Sequence, residues 1–533
     1  MTAPVVSPVF TADRSQVCLP WQADLAALVP HARTFTHGGA KLMVMPNGHD
    51  EARVARNVGV HVPSPILTRY DWCRHTPPPY DIQRTTAAML TEHPRAYVLS
   101  TMGTGKTRAA LYAADWLIKG KRARRVLVSA PLSTLTPVWE SEMFGYFPHL
   151  RVRVLHGSRA RRLKLLAEDA DVYVINHHGV GMIARELVAR GIDIVVVDEL
   201  AILRNKGTDL WKAHHAVVEP AAWAWGMTGS PTPNAPTDAW AQVRLLTPER
   251  TARTMASFQD QTMLRVSQFR WVPRPDANDT VFQAMQPAVR FTRDDIAELP
   301  PTSFTDRSVA LDREADAAYR MLFSKMRTMT LDGRSITAVN EGVLQSKLLQ
   351  VACGFIYTDT VQTGQGPASK TVYALPNTQR LAALDETLAE TDRKAIVFVP
   401  FVHALEGVAA HLRAKGHDVG LIHGGVSRAQ RDLIFRGFQH GASPRFIVAH
   451  PGCMSHGLTL TAANTIVWYA PTQSLETYEQ ANARIVRPPQ TSKTLIAHLF
   501  GTAVERATYA RLKKRGTMQG LLLEMFRKQE LEF

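Results

Sequence analysis

Residues 103–107 have the sequence Gly-Thr-Gly-Lys-Thr, and they lie between the apolar run AYVLS (96–100) and an amphipathic helical stretch. Glycines in such a turn let backbone N–H groups approach phosphate oxygens, and the first turn of a following helix adds positive potential. The lysine would neutralise the β- and γ-phosphates of a nucleotide, and the last threonine would ligate Mg²⁺. Ser100 stands where the strict motif has glycine, and glycine-rich turns also occur as plain strand–helix connections. The residues expected to bind the nucleotide are Gly103, Thr104, Gly105, Lys106 and Thr107.

An acidic pair, Asp198-Glu199, ends a second apolar run, IDIVVVD (192–198). The carboxyl ends of parallel strands are where ligands bind in open α/β sheets. We expect Asp198 to hold Mg²⁺, directly or through water, and Glu199 to orient and deprotonate the attacking water. Acidic pairs at strand ends also cap helices, so this prediction depends on the phosphate loop upstream. Gln83, which precedes that loop in PPPYDIQRTTAAML (77–90), is a candidate adenine contact because an amide both donates and accepts hydrogen bonds.

Short apolar runs that alternate with longer helical stretches surround these motifs. This pattern is typical of parallel strands that crossover helices cover on both faces. The first series of predicted strands comprises residues 96–100, 126–130, 172–175, 192–198 and 222–229, and the second comprises residues 395–399, 419–423, 445–449, 465–469 and 495–500. The sequence therefore predicts an α/β protein with two tandem lobes.

The stretches between the two series set the predicted boundaries. A polar, proline-bearing segment indicates a hinge at Pro300-Pro301, which places the first lobe at 76–300 and the second at 301–533. A helical insertion is expected at about 311–350. Residues 1–75 have shorter and more mixed apolar and polar runs and predict a small α+β module, in which Trp21, Phe35 and Trp72 are either core residues or an exposed stacking surface.

Composition narrows the class of protein. Of 533 residues, 45% are hydrophobic and 20% are charged, values that exclude a disordered chain. The net charge of +15 favours an anionic partner, with nucleic acid ahead of a membrane surface. No apolar run is long enough to span a bilayer and no signal peptide is evident, so we expect a cytoplasmic protein. The four cysteines are far apart, which argues against a zinc site.

Taken in chain order, the motifs resemble those of superfamily 2 helicases and translocases, and within them the Snf2-like group, over about residues 78–520. The segments that carry this resemblance are STMGTGKT (100–107), SAPLSTLTPVWESE (129–142), VVVDELAILRN (195–205), GMTGSPTPNAPTDAW (226–240), HGGVSRAQRDLIFRGFQ (423–439), MSHGLTLTAANTIVWYAP (454–471) and QANARIVRPPQ (480–490). An ordered series of this kind is more specific than any single motif.

The resemblance implies two RecA-like lobes with ATP and Mg²⁺ bound in the cleft between them. It assigns Arg484 and Arg487 as arginines that reach the γ-phosphate, beside Lys106 and Glu199 as the other catalytic residues. It implies that Thr228, Gly229, Ser230 and Gln480 couple hydrolysis to lobe movement. It implies sequence-independent contacts to DNA from Ser133, Asn176, Gly424, Gly457 and Thr459.

Several departures from related groups narrow the expected function. Residues 198–201 are Asp-Glu-Leu-Ala rather than the DEAD or DEAH of RNA-directed helicases, and Ser100-Thr101 replace an acidic pair usual in chromatin remodellers. We expect an ATP-dependent DNA helicase or translocase that remodels branched DNA, such as forks and recombination intermediates, in replication, recombination or repair, from a bacterial or phage source. A nucleotide-gated DNA-binding or annealing protein with incidental ATPase activity and an RNA helicase are the alternatives.

Overall fold

Four antiparallel strands form the first sheet of the chain, in the order β1-β2-β4-β3. Alternate residues Val17 and Leu19 of β2 and Met43 and Met45 of β4 are buried beneath it, as period-two patterning requires. The elements of this N-terminal module are β1 (Val9–Phe10), β2 (Gln16–Pro20), α1 (Ala23–Leu28), β3 (Arg33–His37), β4 (Ala40–Pro46) and α2 (His49–Asn57). Its apolar core ends at Val62.

The structure is a computed structural model and describes residues 8–74, 77–267, 270–296, 300–331, 338–357, 372–454, 459–487 and 490–527. The chain divides into two units. The first comprises residues 1–296 and 519–533 and the second comprises residues 297–518. Within the described residues, no helix combines the length and the apolar character needed to cross a membrane.

The first lobe contains a seven-stranded sheet in the order β13-β5-β10-β9-β6-β8-β7, with all pairs parallel. Every residue of its central strands β6 and β10 is buried, because helices cover both faces of the sheet. The elements are α3 (Pro65–Arg69), α4 (Asp81–Glu92), β5 (Arg95–Val98), α5 (Lys106–Lys119), β6 (Val126–Ala130), α6 (Ser141–Tyr146), β7 (Val152–Leu155), α7 (Arg159–Ala167), β8 (Val172–Asn176), α8 (His177–Met182), α9 (Ala184–Ala189), β9 (Ile194–Asp198), α10 (Asp209–Val218), β10 (Trp223–Met227), α11 (Ala239–Leu246), α12 (Met255–Thr262), β11 (Met263–Ser267), β12 (Arg270–Pro273), α13 (Ala277–Ala284) and β13 (Ala288–Val289).

The second lobe contains a six-stranded parallel sheet in the order β14-β21-β20-β17-β19-β18. Its elements are β14 (Thr302–Ser308), α14 (Arg313–Leu331), α15 (Ala338–Ala352), β15 (Phe355–Tyr357), β16 (Val372–Ala374), α16 (Thr378–Ala389), β17 (Lys394–Phe398), α17 (Val402–Ala414), β18 (Val419–Ile422), α18 (Arg428–His440), β19 (Phe446–Ala449), β20 (Ala463–Trp468), α19 (Leu475–Asn482), β21 (Thr494–Phe500) and α20 (Ala503–Arg527). The last residues of α20, from Gln519, belong to the first unit.

These sheets confirm the predicted fold class, two α/β lobes of RecA-like type with a small N-terminal module, and all ten predicted strands are present. Three strands of the two large parallel sheets were not predicted. Strand β13 has only two residues, and β7 and β14 lie at sheet edges, where half-exposed strands carry no continuous apolar run. Trp72 is only 7% exposed and packs with Tyr70 and Tyr112 in the core of the first lobe, so it does not offer a stacking surface.

Candidate active site

The phosphate loop connects β5 to the first residue of α5, Lys106. Gly103 and Gly105 have φ angles of 89° and 77°, in the left-handed region that favours glycine. A Cβ atom on Gly105 would also lie 2.0 Å from Nε2 of Gln83. Both backbone conformation and close packing therefore require glycine at position 105.

The Lys106 ammonium lies inside this loop. Its Nζ donates to the carbonyl oxygens of Ser100, at 2.8 Å, and Thr101, at 3.3 Å. Burial lowers the pKa of Lys106, and the nearby carboxylates of Glu199 and Asp198 oppose that shift. The loop thus holds a cation close to two acidic groups, the arrangement that a polyphosphate–metal complex needs.

The acidic pair lies where β9 ends. The Oδ1 atom of Asp198 accepts a hydrogen bond from the Glu199 N–H at 3.1 Å, and its Oδ2 atom accepts one from Nε1 of Trp139 at 3.0 Å. Burial raises the pKa of Asp198, while Lys106 acts in the opposite direction. Glu199 has a φ of 53°, a strained conformation for a residue with a side chain and one that is common at functional sites.

The donors present here fit Mg²⁺. Mg²⁺ prefers hard oxygen ligands and is usually held by one or two carboxylates together with substrate phosphates. The carboxylate of Asp198 and the hydroxyl of Thr107 are ligands of this kind. In the part of the chain that the structure describes, no cluster of three or more His, Cys, Asp or Glu side chains could hold a metal without such phosphates.

Gln83 is the third residue of α4, contacts the phosphate loop and is only 3% exposed. Its Oε1 atom accepts from the Tyr80 N–H at 2.9 Å, and its Nε2 atom donates to the Gly105 carbonyl oxygen at 3.4 Å. The amide thus ties the helix start to the loop. Its contact with adenine stays a prediction.

Residues 228–230 follow β10, the strand between β5 and β9. The Thr228 N–H donates to the Val98 carbonyl oxygen at 3.0 Å, and the Ser230 N–H donates to Oγ1 of Thr228 at 3.1 Å. A Cβ atom on Gly229 would lie 3.6 Å from the Ser100 carbonyl oxygen. The segment therefore packs directly against the phosphate loop. Its role in coupling hydrolysis to lobe movement stays a prediction.

Two arginines that the sequence analysis did not single out brace the same loop. Arg290 donates to the Leu99 carbonyl oxygen at 2.6 Å, and Arg293 donates from Nε to the Met102 carbonyl oxygen at 2.8 Å. The Phe291 N–H donates to Oγ of Ser100 at 3.0 Å. The only signal in the sequence is an arginine pair three residues apart after a short apolar run, which has no specificity by itself.

A buried Ser–His–His cluster joins the ends of β6 and β8 to α10. Ser129 Oγ lies 2.8 Å from Nδ1 of His177 and 2.8 Å from Nε2 of His214. Nδ1 of His214 lies 2.8 Å from the Leu210 carbonyl oxygen and must donate to it, so the neutral His214 ring accepts from Ser129. Burial lowers the pKa of His214 to about 4, which keeps the ring neutral.

The predicted DNA contacts have different surroundings. Ser133 and Gly424 are exposed, while Asn176 and Thr459 are half-buried. Oδ1 of Asn176 accepts from Nη2 of the buried Arg162 at 3.0 Å, so this side chain is held within the first lobe. Gly457 lies outside the described residues. The contacts of these positions with DNA stay predictions.

The two arginines of the second lobe follow α19. Arg484 is fully buried, and its Nε atom donates to the Gln480 carbonyl oxygen at 2.9 Å. Gln480 in turn donates from Nε2 to Oε1 of Glu476 at 3.2 Å. Arg487 is half-buried, and desolvation lowers its pKa. Their roles as catalytic arginines stay predictions.

Known proteins match the chain across these motifs. A family described as SNF2-related domain matches residues 94–353, and one described as helicase conserved C-terminal domain matches residues 379–489. The matches thus include the phosphate loop, the acidic pair and both arginines of the second lobe.

Individual relatives are distant in sequence. Putative protein p41 of Acyrthosiphon pisum secondary endosymbiont phage 1 is 24% identical over 480 residues, which cover 85% of this chain and 99% of that protein. The probable global transactivator of Orgyia pseudotsugata multicapsid polyhedrosis virus is 25% identical over 442 residues, 78% of this chain and 84% of that protein. Among solved structures, the Sulfolobus solfataricus SWI2/SNF2 ATPase core in complex with dsDNA is 20% identical, with a TM-score of 0.40 over 85% of this chain and 95% of that chain.

Proposed function

The chain belongs to the Snf2-like group of superfamily 2 helicases and translocases, and from this premise we propose that it is an ATP-driven DNA motor that remodels branched DNA. The SNF2-related and helicase C-terminal domains indicate an ATPase of the helicase type. The DNA substrate, its branched form and a role in replication, recombination or repair are the finer parts of the proposal.

One observation carries the enzymatic part. The side chains of Lys106, Asp198 and Glu199 meet at the carboxyl edge of the first-lobe sheet, where the buried Lys106 ammonium interacts with both carboxylates. Glu199 would take a proton from the water that attacks the γ-phosphorus of ATP, and Lys106 would offset charge on the transferred phosphoryl group. Asp198 and Thr107 would hold Mg²⁺, which when bound would offset negative charge on the phosphates. Arg484 and Arg487 are proposed to add positive charge at the γ-phosphate during hydrolysis.

Charge and exposed turns support DNA as the polymer. The net charge is +15. The Ser133 and Gly424 turns follow strands β6 and β18 and are exposed, as expected for contacts to phosphate oxygens that carry no sequence information. Exposed basic residues on α20 would add further phosphate contacts, and these are Arg506, Arg511, Lys513 and Lys514. Affinity should then fall with salt, by about 0.9 log units per log unit of salt for each phosphate contacted.

The N-terminal module supports the branched form of the substrate. Its β3–β4 hairpin exposes Phe35, and Nζ of Lys41 lies 3.7 Å from the ring centre of the partly exposed Trp21. No Asp or Glu occurs between Asp24 and Asp50, a stretch that includes Arg33 and Lys41. Exposed aromatic rings beside cations are the means by which proteins stack unpaired bases and hold their phosphates.

The proposal is tested by ATP hydrolysis rates with no polymer, single-stranded DNA, linear duplex, a forked or four-way DNA junction, and RNA. Strong stimulation by DNA, highest with the junction, is expected, and the Glu199→Gln variant should show none. Equal or greater stimulation by RNA would favour the RNA helicase. No stimulation by any polymer, together with DNA binding that depends on nucleotide, would favour the nucleotide-gated clamp.

The role of the module is tested by the double variant Arg33→Glu/Lys41→Glu. We expect unchanged ATPase activity on linear duplex and reduced activity on forks. Arg53→Glu, which removes an exposed arginine from α2 of the same module, is the matched control. Equal loss on both DNA forms would show that the hairpin does not select branched DNA.

A further inference from the structure

Trp139 contacts the acidic pair from an unusual helical segment. The chain after β6 forms a 3₁₀ turn over Leu132–Thr134, a π-helical turn over Leu135–Glu140, and then α6. Trp139 is fully buried in the π-helical turn, and its indole Nε1–H donates to Oδ2 of Asp198 at 3.0 Å. Single π-helical turns inside helices occur frequently at functional sites.

This hydrogen bond completes the orientation of the Asp198 carboxylate. Oδ1 already accepts from the Glu199 N–H, and that donor belongs to the adjacent residue. The indole is the second N–H donor, it comes from a different element, and it engages the other oxygen. Two donors on two oxygens fix the plane of the carboxylate, and each oxygen keeps a lone pair that can face a metal ion.

The same helical segment presents its other side to solvent. Ser133 and Thr136 are exposed, while Leu135 and Trp139 are buried. Because these residues lie within two consecutive helical turns, a shift of the exposed side carries the indole with it. The segment therefore connects a solvent-facing turn to the carboxylate of Asp198 through one rigid side chain.

We propose that Trp139 is a positioning residue that orients Asp198 for Mg²⁺ and couples that carboxylate to the exposed Ser133 turn. The second half rests on the proposed function, in which this turn contacts the DNA backbone. By linkage, DNA at the turn and Mg²⁺-nucleotide at the site then change each other's affinity by the same factor. Outer partners of metal ligands commonly contribute 10- to 100-fold to metal affinity or activity.

The test uses Trp139→Phe, which keeps an aromatic ring and removes the N–H donor. Trp225→Phe is the matched control, since Trp225 is equally buried in the same apolar cluster and its indole donates to the His93 carbonyl oxygen at 3.3 Å. The affinity for fluorescent ADP is measured with Mg²⁺ and with a chelator. We expect the increase in ADP affinity that Mg²⁺ causes to be about 10-fold smaller in Trp139→Phe. The ADP affinity measured with chelator and the thermal midpoint should equal those of Trp225→Phe. An unchanged gain, or an equal fall in Trp225→Phe, would overturn the proposal.

The coupling to DNA has a separate readout. With wild-type protein, the linear-duplex concentration that half-saturates binding should change when Mg²⁺-ADP is added, and Trp139→Phe should reduce this change about 5-fold or more. A coupling factor unchanged by the substitution would overturn the second half of the proposal. If the wild-type protein binds no DNA, the proposed function fails, whereas the Mg²⁺ measurement still decides whether Trp139 positions Asp198.

A spectroscopic measurement keeps the proposal testable if Trp139→Phe does not fold. The chain has ten tryptophans, and ¹⁵N-indole labelling of the full chain gives a signal for each indole N–H. Asp198→Asn should move one of these signals, and the same signal should move when Mg²⁺-ADP binds. If the signal that responds to Asp198→Asn does not respond to Mg²⁺-ADP, the indole does not report on the metal site and the proposal is overturned.

Discussion

Arg290 donates a hydrogen bond of 2.6 Å from its guanidinium to the carbonyl oxygen of Leu99, 191 residues earlier in the chain. Arg290 is buried, and Leu99 begins the phosphate loop immediately after β5. A residue outside the Gly-Thr-Gly-Lys-Thr motif thus helps to fix the conformation of the phosphate loop. This hydrogen bond therefore holds the start of a loop that contains two glycines in the left-handed region.

Replacing Arg290 with methionine removes the donor but keeps most of the side-chain volume. The buried Leu99 carbonyl oxygen loses its partner, at a cost of about 1–3 kcal/mol. If that cost is borne by the nucleotide-binding conformation, ATP affinity should fall about 5- to 100-fold. Isothermal titration calorimetry with a non-hydrolysable ATP analogue measures this change.

Arg274→Met is the control for Arg290→Met. Arg274 also donates from its guanidinium to a backbone carbonyl oxygen of the first lobe, that of Asp260 in α12, at 2.8 Å. Its substitution should leave ATP affinity unchanged. Equal losses in the two variants would mean that Arg290 stabilises the lobe rather than the loop.

Lys106→Ala should abolish ATP turnover, because the variant lacks the cation that the loop holds beside Asp198 and Glu199. Loss of a single group that stabilises transition-state charge commonly costs about 10²–10³ in rate. Steady-state phosphate release measures the effect, and Lys212→Ala, which removes an exposed lysine of α10, serves as the control. Normal turnover in Lys106→Ala would refute the nucleotide-site assignment.

The local elements around this candidate site were predictable from the sequence. A strand, a glycine-rich turn and a helix that starts at Lys106 are adjacent in the chain. The acidic pair lies at the end of the run that becomes β9, with Asp198 as the last residue of that strand. The partners that hold these parts were not predictable, because they are remote. Trp139 lies 59 residues from Asp198, and Ser129 lies 85 residues from His214. Only the parallel strand order β5-β10-β9-β6 brings such residues together.

Missing local signals also explain the strands and buried residues that the sequence analysis did not predict. Buried strands such as β6 and β10 have continuous apolar runs and were predicted. Strand β14, Thr302–Ser308, is polar except for Phe304 and lies at the edge of the second sheet, where one side of its backbone has no strand partner. Aromatic type alone did not distinguish the buried Trp72 from the exposed Phe35, since both occur in short segments without a clear period.

A buried ion pair should stabilise the second lobe. Nη2 of Arg380 lies 2.7 Å from Oε1 of Glu505, and both side chains are at most 2% exposed. The other carboxylate oxygen of Glu505 accepts from the N–H groups of Gly501, at 2.9 Å, and Thr502, at 3.0 Å, at the start of α20. Glu505→Ala leaves a buried guanidinium without its counter-charge and removes this cap, so we expect a loss of about 3–5 kcal/mol.

The effect of Glu505→Ala is measured by urea unfolding of the second lobe, with hydrogen exchange at amides of β20 and β21 as the readout. The double variant Arg380→Met/Glu505→Leu removes both charges and should be less destabilised than Glu505→Ala alone, because no unpaired charge is then buried. Greater destabilisation of the double variant would show that the pair stabilises through its hydrogen bonds rather than by mutual charge compensation.

Acid should destabilise the first lobe through His214. Burial lowers the pKa of this ring to about 4, whereas an unfolded histidine has a pKa of about 6.5. Between these values the unfolded chain binds a proton that the native chain does not, so the free energy of unfolding falls as the pH falls from about 6.5 to 4. For this single histidine the free energy of unfolding should be lower by about 3 kcal/mol at pH 4 than at pH 7. Urea unfolding at pH 7, 6, 5 and 4.5 measures the slope.

His214→Gln tests this assignment, because glutamine can donate to the Leu210 carbonyl oxygen or accept from Ser129 without titrating. We expect the variant to lose stability at pH 7 and to show a smaller fall in stability between pH 7 and 4.5 than the wild-type protein. A residual fall should persist, since burial also lowers the pKa of His49 to about 4. His156→Gln, at an exposed position of the same lobe, should leave the slope unchanged. An unchanged slope in His214→Gln would show that the acid sensitivity arises elsewhere in the lobe.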